Sequence, residues 1–202
     1  MPRVSEQYIE QRRRTILDAA ARRFARDGFH ATTMDDVIGE AGMSASVVYR
    51  WFRGKDELIA ASVTDVADVV VAELEAVLAA ATPVPLGRAV GRLLAAAVDA
   101  TAARGGDELI ALTLQAWTEA LRNTSVNEAV VSRYRQVRDG LAELVRQHQR
   151  AGSLPACIDP DAAAAVVYSL VPGTLVQHLL LGPVDVDAFT AACSAILVGA
   201  DD

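Results

Sequence analysis

Hydroxyl, guanidinium and ammonium groups gather in one short stretch of this 202-residue chain, as Thr33, Ser44, Ser46, Tyr49, Arg50 and Lys55. None is a nucleophile with a base placed beside it. These groups are hydrogen-bond donors and cations, suited to recognition. A guanidinium can donate two parallel bonds to a guanine edge, and small side chains such as Ala45 and Val47 can meet a thymine methyl. Hydroxyls, an ammonium and exposed backbone N–H groups suit phosphate oxygens. Such groups read a nucleic acid only when a rigid frame presents them together.

The intervening residues can supply that frame. Thr33 is an N-cap residue, and Asp36 adds negative charge where a helix dipole favours it. Val37, Ile38 and Ala41 give the following segment an apolar side. Gly42 can take the left-handed conformation that ends a helix. Ser44 can cap a second segment, in which Val48 and Phe52 lie four apart and share a buried face. Ala45, Ser46, Val47, Tyr49 and Arg50 then face outward or sideways. Two short helices about a glycine turn make a helix-turn-helix, whose second helix fits the major groove. On spacing alone, a plain helical hairpin in an all-α core fits equally well.

Longer blocks bear on that choice. They are Thr32-Thr33-Met34-Asp35-Asp36-Val37-Ile38, Ala41-Gly42-Met43-Ser44, Val48-Tyr49-Arg50-Trp51-Phe52 and Lys55-Asp56-Glu57-Leu58, preceded by Ile16-Leu17-Asp18-Ala19-Ala20, Phe24, Gly28 and Phe29. Together they make residues 12–60 resemble the DNA-binding region of the tetracycline-repressor (TetR) family of bacterial transcription regulators. The remaining chain resembles that family only in length and helical character. The resemblance implies an all-α fold of about nine helices. It implies a helix-turn-helix DNA-binding domain over 1–54 and a helical ligand-binding and dimerisation domain over 55–202. The function implied is that of a ligand-responsive regulator, foremost a repressor, which binds a palindromic double-stranded DNA operator as a homodimer. A small apolar effector would release it. Half-sites would lie ~34–36 Å apart or at a multiple of that. On this reading Ala45, Ser46, Val47 and Arg50 meet bases, while Thr33, Ser44, Tyr49 and Lys55 meet phosphates. Family members often carry Gly or Pro where Ser46 stands, and His or Tyr where Trp51 stands. Those departures leave the operator sequence open, and Trp51 is expected to pack against the following helix.

Charge fits contact with DNA at one end only. The net charge of -7 argues against a protein that coats nucleic acid over its whole surface. Residues 1–61 carry ten Lys+Arg and nine Asp+Glu, a net of +1; residues 62–202 carry nine and seventeen, a net of -8. Arginines 12, 13, 14, 22, 23 and 26 lie largely off the Ile16-Ala20-Phe24 core stripe. The early ones suit phosphate or minor-groove contact, and the rest suit a solvated face.

Further helices are predicted over residues 8–27, 55–81, 86–104, 107–121, 127–151, 160–181 and 187–198, after a mobile arm at 1–7. Asp159-Pro160 is a sharp start signal, and Pro172-Gly173 should bend the helix that follows. Gly87 and Gly91 have the spacing of close helix packing. Residues 162–181 carry no Asp, Glu, Lys or Arg. They read as a buried helix, not a membrane span, and with the last helix as a four-helix interface with a second copy. Inside the body, Trp117, Tyr134, Tyr168 and His178 are the candidate ligand contacts, since each joins a ring to a polar handle.

Several chemistries are missing from the sequence. It has no phosphate-cradling glycine loop, His-Glu-x-x-His, cysteine cluster or nucleophile elbow. His30, His148 and His178 share no ligand spacing, and Cys157 and Cys193 form no close pair. No cofactor, metal or catalytic residue is expected. Without a signal peptide the chain is expected in the cytoplasm with both thiols reduced. Asn123-Thr124-Ser125 is expected to be a chance glycosylation match. The runner-up function is a helical small-molecule-binding protein or enzyme with an unused DNA-binding head. A third possibility is a DNA-binding protein with no ligand.

Overall fold

The computed structural model describes residues 6–103 and 106–197. Within them the chain forms nine helices and no strand, the all-α fold expected. They are α1 (Glu6–Ala31), α2 (Met34–Ala41), α3 (Ala45–Trp51), α4 (Lys55–Leu78), α5 (Leu86–Ala102), α6 (Asp107–Ala120), α7 (Thr124–Arg150), α8 (Pro160–Leu181) and α9 (Val186–Leu197). The expected arm lies mostly outside the described residues, and helix already begins at Glu6. The chain divides into two compact units, residues 1–65 with 104–130 and residues 66–103 with 131–202.

In the first unit α1 packs on α2 and on α6. Its buried stripe is Ile16, Ala20 and Phe24, all fully enclosed. Gly28 breaks the helix, with φ 79° and ψ 162°, a conformation that disfavours a Cβ. The break turns Phe29 back onto Phe24, ring centroids 5.1 Å apart and edge to face. Buried Thr32 secures it by donating its hydroxyl to the Gly28 carbonyl at 2.8 Å.

In the second unit Val77, Leu86, Ala89, Leu144 and Val145 form a core cluster, with Leu78, Val84 and Leu197 at its edge. Among the described residues α5 packs most extensively on α9. A Cβ on Gly87 would strike the Ser194 backbone, and one on Gly91 would strike the Thr190 side chain. This realises the close packing that the Gly87–Gly91 spacing suggested. Buried His148 ties α7 to the loop before α5. Its Nε2 donates to the Val84 carbonyl at 2.9 Å, and its Nδ1 meets the Ser153 hydroxyl at 2.8 Å.

Two local expectations change. Helix α7 starts three residues before Asn127, because the Asn123 side-chain oxygen accepts N–H bonds from Ser125 at 3.1 Å and Val126 at 3.3 Å. The asparagine of the apparent sequon is a helix cap. Helix α8 is capped by Asp159, as the Asp159-Pro160 signal predicts, and runs through Pro172 to Leu181. By length and composition α8 could cross a membrane, but it is not the buried helix expected, for only 22% of its apolar window is buried in the chain. Val166, Leu180 and Leu181, with Ile196 of α9, are exposed.

Candidate nucleic-acid interface and effector residues

Local capping builds the helix-turn-helix. The Thr33 hydroxyl accepts from the Asp36 N–H at 3.2 Å, and Asp36 Oδ2 accepts from the Thr33 N–H at 2.8 Å. This reciprocal box fixes the start of α2. The Thr33 hydroxyl also donates to Asp36 at 2.6 Å. Both Thr33 donors are therefore engaged, and a phosphate contact there requires the carboxylate to yield. These two bonds from Thr33, the hydroxyl first, hold the Asp36 carboxyl below the usual carboxylate range. Gly42 ends α2 at φ 62° and ψ 30°, where its N–H and that of Met43 return to carbonyls of the last turn.

Ser44 stands at the N-cap position of α3, but its hydroxyl does not bond a backbone N–H. It faces the Ser46 hydroxyl at 3.1 Å instead, leaving two adjacent hydroxyls outward. Val48 turns fully inward, and Phe52 just beyond α3 is also buried. Ala45, Ser46, Tyr49 and Arg50 are exposed, and Val47 is half-buried. A helix of seven residues, buried through Val48, thus presents most of its other side chains to a partner. Lys55 Nζ donates to the His30 carbonyl at 3.4 Å, so this cation joins the start of α4 to the end of α1.

A concavity of about 630 Å³ lies beside α3. Ser44, Val47, Arg50 and Trp51 line it, together with Tyr8 and Arg12 from α1. Sequence reasoning grouped Arg12 with the other early arginines and overlooked Tyr8. The available signal was their spacing of four, which places ring and guanidinium on one helix face. Arg22 and Arg23 meet Glu40, and Arg26 meets Asp27. The Arg22 bond lowers the Glu40 pKa, and the Arg26 bond lowers that of Asp27.

Among the effector candidates, Tyr134 of α7 and Tyr168 of α8 come together, ring centroids 4.3 Å apart and edge to face. Burial first, then Tyr134, raises the Tyr168 pKa, so its phenol stays protonated well past the ordinary range. His178 Nδ1 accepts the Val184 N–H at 3.4 Å, which places this ring against the turn after α8. Trp117 is half-buried on α6 and belongs to the other compact unit. No group of three metal-ligand side chains occurs among the described residues.

Residues 16–62 match the family model described as bacterial regulatory proteins, tetR family. Residues 88–200 match the model of the BetI-type transcriptional repressor, C-terminal. The second match alone spans more than half the chain. This chain belongs to the TetR family of bacterial transcription regulators.

The TetR-family chain is 27% identical over 196 residues to the helix-turn-helix regulator BetI of Rhizobium meliloti (strain 1021), covering 95% of this chain and 89% of that one. An uncharacterised regulator of Bacillus subtilis (strain 168), YfiR, is 40% identical over only 57 residues; the match spans 28% of either chain. Salmonella enterica GusR superposes with a TM-score of 0.74 at 23% identity over 98% of both chains. A transcriptional regulator from Saccharomonospora viridis, solved in complex with choline, superposes with a TM-score of 0.67 at 24% identity over 91% and 94% of the two chains. At those identities the structural likeness shows the fold. The protein is a DNA-binding transcription regulator, as its family and full-length relative are.

Proposed function

We infer that this TetR-family protein is an effector-responsive repressor that binds a palindromic operator as a homodimer. One observation carries the reading. The seven-residue α3 buries Val48 while Ala45, Ser46, Tyr49 and Arg50 remain exposed. Ala45, Ser46, Val47 and Arg50 approach bases. Ser44, Tyr49, Lys55 and, once its Asp36 bonds yield, Thr33 hold phosphates. The DNA-binding domain is residues 1–54, and 55–202 form the effector and dimer body.

Helices α8 and α9 pair with those of a second copy. Support comes from side chains left bare in one protomer, where Leu180 is 76% exposed, Leu181 81% and Ile196 77%. An apolar patch of this kind on a DNA-binding protein marks an interface with another chain. The place of action is the cytoplasm, where operator DNA lies, and no catalysis is assigned to the chain.

The effector is a small molecule taken up by the body, with the Tyr134–Tyr168 pair as an aromatic wall. Such a wall accepts an apolar group or a quaternary ammonium. Choline leads the screen because the Saccharomonospora viridis neighbour holds it. Release requires a difference in effector affinity between DNA-competent and incompetent states. A 100-fold loss of operator affinity corresponds to a coupling of ~2.7 kcal/mol.

The test is an anisotropy titration against DNA upstream of the gene at two salt concentrations, with and without choline. An Arg50→Ala, Tyr49→Ala double variant is the control. Tight, salt-sensitive binding that the variant loses supports the operator reading. Equal binding by variant and wild type removes α3 from the interface. An effect of choline that disappears in Tyr168→Ala supports the assigned wall.

A further inference from the structure

Carboxylates match almost every described arginine on α1. Arg13 meets Glu10 at 3.7 Å, Arg14 meets Asp65 at 2.7 Å, Arg22 meets Glu40 at 3.1 Å, Arg23 meets Asp27 at 3.3 Å and Arg26 meets Asp27 at 3.1 Å. Arg12 is the exception among the described residues. Its Nε and Nη2 donate to the Tyr8 hydroxyl at 3.0 and 2.7 Å, and its guanidinium carbon lies 5.1 Å from the Tyr8 ring centroid. A phenol orients a guanidinium by hydrogen bond and ring contact without cancelling its charge.

The placement of this pair gives it a use. Tyr8 and Arg12 line the 630 Å³ concavity together with Ser44 and Arg50, and no carboxylate lines it among the described residues. Arg50 also has no carboxylate partner among the described residues. Two uncancelled guanidinium groups therefore share one groove, continuous with the helix that carries the candidate base contacts. Of the five N–H groups of Arg12, two are used by Tyr8, and the remaining three suffice for a two-point contact with a phosphate.

We propose that Tyr8 and Arg12 form a phosphate clamp that extends the DNA interface beyond the helix-turn-helix. Arg12 binds a backbone phosphate beside the bases approached by Arg50, and Tyr8 is a positioning residue that holds the guanidinium toward it. Charge complementarity and continuity with α3 select duplex DNA as the occupant. The clamp rests on the reading of α3 as the recognition helix.

The experiment measures Kd against salt for wild type, Arg12→Ala, Tyr8→Phe and Arg26→Ala. The probes are a genomic fragment recovered by selection on the wild-type protein and an unrelated duplex. Each phosphate contact contributes about 0.9 to the slope of log K against log salt. Arg12→Ala is expected to reduce the slope by about that amount for each bound protomer. It should weaken binding at 50 mM salt by about tenfold per contact, a deficit that shrinks about threefold by 200 mM. Tyr8→Phe keeps the charge and the slope but weakens binding severalfold. Arg26→Ala, whose cation is matched by Asp27, keeps both. Melting curves of the exposed Arg12 variant should overlay wild type. An unchanged slope in Arg12→Ala overturns the clamp while leaving the operator reading intact. An equal loss in Arg26→Ala also overturns it, by showing a general charge effect. Wild-type affinity for Tyr8→Phe removes the positioning role. Absence of salt-dependent binding by the wild type overturns the clamp and the operator reading together.

Discussion

Gly87→Ala adds one methyl group where α5 meets α9. The new Cβ would lie inside contact distance of the Ser194 Cα and backbone N, with Ser194 Oγ at 2.6 Å. A backbone atom cannot rotate aside, so α9 must move bodily. Overpacking of this kind costs about 1–3 kcal/mol, and the upper end applies when backbone is struck. Alanine returns about 1 kcal/mol of helix propensity, which leaves about 2 kcal/mol of net destabilisation. For a chain of this size that lowers Tm by about 4–8 °C. Gly39 supplies the control, since it lies within α2 with nothing near its missing Cβ. Gly39→Ala is expected to raise Tm by about 2 °C through propensity alone. At Gly91 the clash is with Thr190 side-chain atoms, Cγ2 at 2.5 Å and Cβ at 2.7 Å. Thr190→Ala should therefore partly rescue Gly91→Ala, whereas Ser194→Ala should not rescue Gly87→Ala. Thermal and urea denaturation of the five single and two double variants would check this. A Gly87→Ala protein as stable as Gly39→Ala refutes the reasoning.

His148→Ala leaves the Val84 carbonyl without its buried donor and opens a cavity. A loss of about 2–4 kcal/mol in urea unfolding is expected, and a change under 1 kcal/mol would exclude a structural role for the clasp. Asp36, Glu40 and Asp27 have depressed pKa values in the fold. Their stabilisation is present above the unfolded carboxylate value of about 4 and is lost as pH falls through the lower folded values. Tm should therefore fall in acid, and Asp36→Asn should flatten part of that fall; parallel curves would remove the capping box as the cause. Leu180→Ser with Leu181→Ser is expected to shift the protein from dimer to monomer in light scattering and to make Tm less dependent on protein concentration. A dimer that persists unchanged would place the interface elsewhere.

Much of this fold is legible because its signals are local. Thr33 with Asp36, Gly42, and Asp159 before Pro160 act within one helix turn, so spacing alone describes them. Asn123 was local too, but its side chain serves equally in a glycosylation sequon and a cap, and only the position of α7 decides. Gly87 and Gly91 announced close approach without naming α9, since the partner lies about a hundred residues away in sequence. The apolar run of α8 was read as core because composition records aversion to water, not what removes the water. The meeting of Tyr134 with Tyr168 depends on how α7 and α8 cross, and no spacing encodes it. The sequence likewise shows six clustered arginines on α1 but not which carboxylates fold back onto them.

The matched arginines of α1 bear on how the protein finds its site. A genome is a vast excess of ordinary duplex, and a strongly cationic head would spend most of its time parked there. Residues 1–61 carry a net of only +1, and ion pairs occupy most α1 guanidinium groups. Such a surface is expected to hold random DNA weakly and to let go quickly. The population of regulator would stay largely free, so a modest number of copies could keep an operator occupied and a change in effector could be answered without first draining a chromosomal reservoir.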